Sequence, residues 1–210
     1  VKGPLKVDCI YRRLDDSFLD PKVFNKDSLI GVPGLFKCWL KKNVGILNAI
    51  GTGVADDKVV YSYVNKMITY YLGEQPLLNQ VETYLCHEED QKKYVLENLS
   101  KLVVKPANAS GGYGLMIGPK APKKEIEEVR QKILKNPREF IAQPLEVLST
   151  GPTITNNNIE PRHVDLRPFV LTGKSNYVTS GGLTRVALRK GSTIVNSSQG
   201  GGSKDTLIVG

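Results

Sequence analysis

The sequence predicts a fold of the α+β class, and three observations lead to this prediction. Short runs rich in β-branched and aromatic residues, such as 6–11 and 164–171, are typical of strands. Apolar residues recur at helical spacing over 57–72 and 123–135, which predicts amphipathic helices. The apolar run 102–105 leads into a glycine-rich loop and then a second apolar run, an order that predicts a β-hairpin rather than a strand–loop–helix unit.

The other predicted elements follow from the same patterns and from turn residues. Asp56 is expected to cap the helix over 57–72, and Gly73 is expected to end it. The segments 149–161 and 196–203 are rich in polar and glycine residues, so we expect a mobile loop and a flexible stretch there. The remaining expected elements are helices over 35–42 and 88–99 and strands over 44–47, 115–117, 140–144 and 183–188.

Length and composition restrict the possible classes of protein. The chain has 210 residues, enough for one large domain or two small lobes. Its cysteines, Cys9, Cys38 and Cys86, are widely spaced, which argues against a disulfide framework or a zinc site and favours reduced thiols in a cytoplasmic protein. No apolar run approaches the roughly 20 residues that span a bilayer, so we expect no membrane partner.

The distribution of charge and the two histidines argue against nucleic-acid binding, a histidine metal site and a hydrolase. The formal net charge of +8 would attract polyanions. Lys and Arg are nevertheless dispersed and are not interleaved with aromatic residues, so nucleic acid is not expected as a partner. His87 and His163 have no partner at metal-ligand spacing, and the sequence contains no G-x-S-x-G motif, which argues against a hydrolase.

Two lysines lie next to glycine-rich segments. Lys105 ends a predicted strand, and Gly111, Gly112 and Gly114 follow it in a loop whose backbone N–H groups could hold an anion. Lys58 opens a predicted helix after the loop GTGVADD. Together these features fit a triphosphate. The alternatives are an ordinary hairpin turn beside a surface lysine, and a solvated lysine on a helix.

Charged and polar residues in the last third of the chain form a second set of candidates. Asp165 and Arg167 alternate along one predicted strand, so they share a face, and Arg185 interrupts another apolar strand. Arginine is the usual residue where a transferring phosphoryl group is held. Asn196 begins the polar, glycine-rich run NSSQGGG. The alternatives are a cross-strand salt bridge for Asp165 and Arg167, and a plain linker for the run that starts at Asn196.

Taken in order, these segments resemble a known family. As a set they are similar to the circularly permuted type 2 ATP-grasp proteins, a group related to glutathionylspermidine synthase, over nearly the whole chain. The strings that carry the resemblance are YRRLDDSFLDP, GVPGL, GTGVADDK, VVKP, GGYG, PRHVDLRPFV, GGLTRVAL and NSSQGGGSKDT.

The resemblance implies an ATP-grasp fold, in which ATP lies between two α+β lobes. Residues 1–54 would belong to a lobe that joins an N-terminal part preceding Val1, and would contribute a helix and a glycine loop. Residues 55–145 would form the nucleotide-binding lobe, with the glycine hairpin as a lid and a hinge. Residues 146–210 would form the second lobe and carry the strands with the arginines.

The resemblance also implies a role for each candidate residue. Lys58 and Lys105 would contact the phosphates of ATP, and Gln143 would begin the hinge segment beside the adenine. Arg167 and Arg185 would hold the γ-phosphate and the acyl-phosphate, and Asn196 would lie near the metal or the phosphates. The lid over the phosphates would consist of Ser110, Gly111, Gly112, Tyr113 and Gly114.

The implied protein is an ATP-dependent carboxylate–amine ligase that uses ATP and Mg²⁺ on small-molecule or peptide carboxylate and amine substrates. The Glu-x-Asn metal motif of such enzymes is not found in the sequence. We expect it upstream of Val1 in a longer protein, so the metal ligands stay unassigned, with Asp15, Asp16 and Asp165 as minor candidates. The alternative is a non-catalytic ATP-binding or scaffold module that lacks the metal strand.

Overall fold

The chain folds into two units, Val1–Gln80 and Val81–Gly210. The computed structural model describes residues 3–108, 114–155, 157–196 and 200–207. These residues contain both helices and sheets, as the α+β prediction requires. In this part of the chain no helix is long and apolar enough to cross a membrane. The division into lobes 1–54, 55–145 and 146–210 stays a prediction.

The first unit combines short helices with a pair of parallel strands. Its strands pair in register, with Cys9 opposite Gly45 and Tyr11 opposite Leu47. The strand predicted over 6–11 is therefore shorter than expected. The elements of this unit are β1 Cys9–Tyr11, α1 Leu35–Leu40, β2 Gly45–Leu47, α2 Lys58–Ser62 and α3 Val64–Leu72.

The single helix predicted over 57–72 is wrong in one respect, because the structure divides it at Tyr63 into α2 and α3. The hydroxyl of Ser62 donates to the carbonyl of Val59, and such a bond competes with regular helical hydrogen bonding. The cap is Asp57 rather than Asp56, since its carboxylate accepts from the N–H of Val59. Gly73 ends α3 as predicted, with a φ of 68° that favours glycine.

A buried carboxylate organises the turn before α1. Asp20 is fully buried and accepts hydrogen bonds from the backbone N–H groups of Lys22, Gly34 and Phe36. Burial alone would raise the pKa of Asp20, but these three donors outweigh it and lower the pKa. Asp20 therefore stays ionised and ties the segment 20–24 to the start of α1.

The second unit contains two antiparallel sheets and two longer helices among its described residues. One sheet has the strand order β3–β6–β4–β5, and the other has the order β7–β8–β9–β10. The elements are β3 Tyr84–Leu85, α4 Glu89–Asn98, β4 Leu102–Pro106, β5 Met116–Ile117, α5 Lys123–Lys135, β6 Phe140–Pro144, β7 Thr150–Thr155, β8 Asn158–Thr172, β9 Asn176–Val186 and β10 Gly202–Leu207.

The hydrophobic core of this unit lies on one face of the sheet β3–β6–β4–β5. Alternate residues of a strand point to opposite faces, so Leu102 and Val104 enter the core together. The core also buries Cys86, and burial raises the pKa of its thiol to about 12. The buried cluster is formed by Cys86, Val95, Leu99, Leu102, Val104, Met116, Val129, Ile133 and Ala142, which come from the sheet and from α4 and α5.

The mobile loop predicted over 149–161 is wrong, since the structure places β7 and the first part of β8 there. The two strands pair from Thr150 opposite His163 to Thr155 opposite Asn158. The β-branched residues of this segment suit a paired strand, and Thr153 is buried in the sheet. Likewise, part of the stretch expected to be flexible over 196–203 belongs to β10.

The core predicts unequal effects for two neighbouring residues of α5. Replacing Ile133 by Ala should lower the free energy of unfolding by about 2–5 kcal/mol, because the side chain is fully buried. Leu134→Ala is the matched control, since Leu134 is 51% exposed. Hydrogen exchange of β4 and β6 under mild denaturant measures the loss. Equal protection in the two variants would contradict the described core.

Candidate functional site

A cavity of about 350 Å³ lies in the second unit, on the face of the sheet β3–β6–β4–β5 opposite the helices. Val103 and Ile117 form part of its apolar wall because they alternate with the core residues of β4 and β5. Leu145, Leu148 and Val195 extend this wall. The polar side chains at the cavity are Lys105, Gln143, Glu146, Asp165, Arg167, Thr193 and Asn196.

Strand register brings Lys105 and Gln143 together. On β4 and β6 the residue pairs are Val103 with Gln143 and Lys105 with Ile141, so Lys105 and Gln143 share the cavity face. Nζ of Lys105 donates to Oε1 of Gln143 over 2.6 Å, and the Gln143 side chain is only 7% exposed. The ammonium group therefore has a fixed neighbour on the rigid part of the sheet.

Arg167 and Asp165 occupy the same face of β8, as predicted from their spacing, and both line the cavity. Nη2 of Arg167 lies 2.7 Å from Oδ2 of Asp165, and Nε of Arg167 also donates to this carboxylate. The pair lies within one strand rather than across strands. It leaves a guanidinium group at the cavity with a carboxylate beside it.

Arg185 and Asn196 form a second polar contact close to the first. Arg185 lies opposite Asp165 in the β8–β9 register, and its Nη1 donates to Oδ1 of Asn196 over 3.1 Å. Among the described residues, Nε of Arg185 is buried and has no hydrogen-bond partner. A buried N–H without an acceptor is costly, so this group would gain from a negatively charged ligand.

The end of β6 and the segment after it border the cavity with Pro144, Leu145, Glu146 and Leu148. Nδ1 of His163 lies 2.7 Å from the carbonyl oxygen of Leu148, which fastens this segment to β8. The structure thus brings the predicted hinge to the same cavity as Lys105. It does so through a contact that the sequence did not indicate.

The remaining predicted site residues are not among the described residues that line this cavity. Lys58 lies in the first unit at the start of α2, where burial lowers its pKa and the carboxylates of Asp57 and Asp56 oppose that effect. Gly114 has a φ of 71° and lies two residues before the start of β5. The lid residues Ser110, Gly111, Gly112 and Tyr113 lie outside the described residues.

A buried arginine holds the glycine loop that precedes Lys58. Arg12 donates to the carbonyl oxygens of Asn48 and Ala49 and forms a 2.7 Å ion pair with Asp16. The carboxylate of Asp16 accepts in turn from the N–H groups of Gly51 and Gly53. The loop is therefore bound on both its carbonyl and its N–H groups, a network that sequence reasoning missed.

The acidic residues considered as minor metal ligands have structural partners instead. Asp16 is engaged by the glycine loop, and Asp15 accepts from the N–H and hydroxyl of Ser17, which lowers the pKa of Asp15. Asp165 pairs with Arg167. Within the described ranges, no group of three or more His, Cys, Asp or Glu residues could hold a metal ion. The metal ligands stay unassigned.

Comparison with known proteins identifies the family. Residues 1–187 match the family described as circularly permuted ATP-grasp type 2, and the chain belongs to this family. The prediction from the motif strings is therefore confirmed at the level of the family.

Relatives come from several bacteria. An uncharacterised protein of Synechocystis sp. (strain ATCC 27184 / PCC 6803 / Kazusa) is 57% identical over 99% of this chain and 44% of its own length. A Mycobacterium tuberculosis (strain ATCC 25618 / H37Rv) protein is 53% identical over 99% of this chain and 38% of its own. A Frankia casuarinae protein with the provisional name glutamate–cysteine ligase 2-2 is 51% identical over 97% and 23% respectively. The chain spans less than half the length of these relatives.

The Arg12 network predicts a large effect on the stability of the first unit. Arg12→Met should lower its free energy of unfolding by about 2–4 kcal/mol, since the carbonyls and Asp16 lose their buried donor. Arg13→Met is the control because Arg13 is exposed. Fluorescence of Trp39, the single tryptophan, follows urea unfolding of this unit. Similar midpoints for both variants would show that the network contributes little.

Proposed function

We propose that this chain supplies most of the ATP site of an ATP-dependent carboxylate–amine ligase that acts through an acyl-phosphate. The observation that carries the proposal is the cavity in which Lys105 and Arg167 lie beside an apolar wall. Membership of an ATP-grasp family supports ATP as the ligand. The cavity volume of about 350 Å³ lies within the range typical of small-molecule sites.

The apolar side of the cavity suits the base of a nucleotide. Val103, Ile117 and Leu145 offer flat apolar contacts, and the segment after Gln143 brings backbone groups to the same wall. Aromatic bases gain from such apolar burial, while backbone N–H and C=O groups select their edge. We therefore assign the adenine to the segment beginning at Gln143.

The basic side of the cavity suits the phosphates. Lys105 and Arg167 both line it. Arg185 pairs with Asp165 on the neighbouring strand, and its buried Nε has no partner among the described residues. Phosphoryl transfer depends mainly on positioning and on neutralising charge, which lysine and arginine provide. The contacts of Lys58 and of the lid residues 110–114 with the phosphates stay predictions.

The proposed reaction proceeds in two steps. A carboxylate oxygen of the first substrate attacks the γ-phosphorus, the bond to the ADP oxygen breaks, and an acyl-phosphate forms. An amine then attacks the acyl carbon, phosphate leaves, and one proton is released with the amide product. Arg167 and Arg185 would stabilise the charge on the transferred phosphoryl group, and Asn196 would orient Arg185 through their hydrogen bond.

Mg²⁺ usually accompanies ATP, but the described residues do not form a site for it by themselves. Asp165 and Asn196 are oxygen donors of the kind Mg²⁺ prefers, yet each already accepts from an arginine. We therefore assign no step of the reaction to a metal held by these residues. We also propose that substrates are small molecules or peptides, and that neither nucleic acid nor a membrane takes part.

The provisional name of the Frankia casuarinae relative, a glutamate–cysteine ligase, supports the general class of reaction. This chain corresponds to only 23% of that protein, so the name supports a ligase and does not identify the acid or the amine. A non-catalytic ATP-binding module would share the cavity and lack the transfer step. Binding and turnover must therefore be tested separately.

Removing Lys105 should weaken ATP binding while leaving the fold intact. We expect Lys105→Ala to lower ATP affinity by at least about tenfold, because a charge-assisted contact to phosphate is lost. Isothermal titration of the 210-residue chain with ATP and Mg²⁺ measures this, with GTP as a test of base selectivity. Lys101→Ala is the control, since Lys101 is exposed just before β4. Unchanged affinity in Lys105→Ala would exclude the phosphate assignment.

Arg167 should affect transfer more than binding. In the whole protein, Arg167→Ala should reduce the turnover number by about a hundredfold or more with a smaller change in ATP affinity, because its charge acts on the transferred phosphoryl group. Hydroxylamine trapping of the acyl-phosphate with a panel of carboxylates measures the first step. Equal losses in binding and turnover would instead indicate a structural pair with Asp165.

A further inference from the structure

A line of hydrogen bonds ends on the ammonium of Lys105. Nζ of Lys105 donates to Oε1 of Gln143 over 2.6 Å, and Nε2 of Gln143 donates to Oγ1 of Thr83 over 2.8 Å. The hydroxyl of Thr83 then donates to the carbonyl oxygen of Val81 over 3.0 Å. Each donor in the line faces an acceptor, from the ammonium group to a backbone carbonyl.

The direction of this line fixes the orientation of the Gln143 amide. An amide carries an acceptor oxygen and a donor NH₂ group, so turning it over would place its NH₂ against the ammonium of Lys105. The turned carbonyl would also face the oxygen of Thr83, whose proton is directed to Val81. Thr83 therefore keeps the carbonyl of Gln143 directed at Lys105.

Two strand positions and the residue directly before a third strand bring these side chains together. Gln143 lies on β6, and Lys105 lies on β4, which pairs with β6. Thr83 directly precedes Tyr84, which pairs with Ala142 on the other edge of β6. The same sheet is packed on its opposite face against the helical core, so none of these backbone positions can shift alone.

We propose that Thr83 and Gln143 are positioning residues, which together hold the ammonium of Lys105 in the cavity for the phosphates of a nucleotide. This inference rests on the proposed function for the identity of the ligand. Thr83 itself does not line the cavity, so it acts through Gln143. An amide carbonyl also orients the ammonium without bringing a negative charge of its own, whereas a carboxylate would compete with the phosphates.

The first experiment compares ATP with adenosine. Thr83→Val removes the hydroxyl at almost constant volume and should weaken ATP binding by about three- to tenfold, the factor that one hydrogen bond is worth. Adenosine, which lacks phosphates, should bind as in the unaltered chain. Thr153→Val is the matched control, because the hydroxyl of Thr153 also donates to a backbone carbonyl of this unit but lies away from the cavity.

A double variant separates action through Lys105 from a general loss of fold. If Thr83 acts by positioning Lys105, adding Thr83→Val to Lys105→Ala should cause no further loss of ATP affinity. Additive losses, or an equal loss for adenosine and ATP, would overturn the proposal.

A measurement without nucleotide tests the positioning directly. The acetylation rate of Lys105 by acetic anhydride can be measured by mass spectrometry against exposed Lys124 in the same sample. In Thr83→Val, but not in Thr153→Val, Lys105 should react about three- to tenfold faster, because its ammonium loses a fixed acceptor. An unchanged ratio would overturn the proposal. A raised ratio in a chain that binds no ATP would keep the positioning role and refute the proposed ligand.

Discussion

The pairing of β4 with β6 is the constraint on which both the core and the cavity depend. Because alternate residues face opposite sides, Val104 packs against the helices while Lys105 reaches the cavity. The apolar packing of α4 and α5 against the sheet fixes the positions of these two strands. The position of a charged group in the cavity is therefore maintained mainly by apolar contacts on the other side of the same sheet.

Each cation at or beside the cavity has a hydrogen-bond acceptor that the chain itself supplies. Asp165 accepts from Arg167, and Asn196 accepts from Arg185. Such partners lower the cost of holding positive charge in a partly buried site. They also mean that a polyphosphate must compete with existing hydrogen bonds, so the affinity gained per contact is smaller than the charges alone suggest.

The sequence predicted local patterns well and pairing poorly. The helix over 123–135 was predicted to the residue, because its apolar periodicity is clear and Pro137 follows it. The segment 149–161 was misassigned because Thr, Asn and Pro are typical of loops but also occur in edge strands, and here they form the hairpin of β7 with β8. In the cavity, Lys105 and Gln143 were predicted from motifs. Thr83 was not, because β3 has only two residues and shows no alternation.

The exact alternation along β4 also limits how the chain can change in length. A single residue inserted before Val104 would turn each later side chain to the opposite face, placing Lys105 among the helices and Val104 at the cavity. An ammonium buried without partners is far more costly than a lost methyl group. A substitution in β4 therefore changes one side chain on one face. An insertion or deletion would instead remove the core packing of Val104 and the cavity position of Lys105 together.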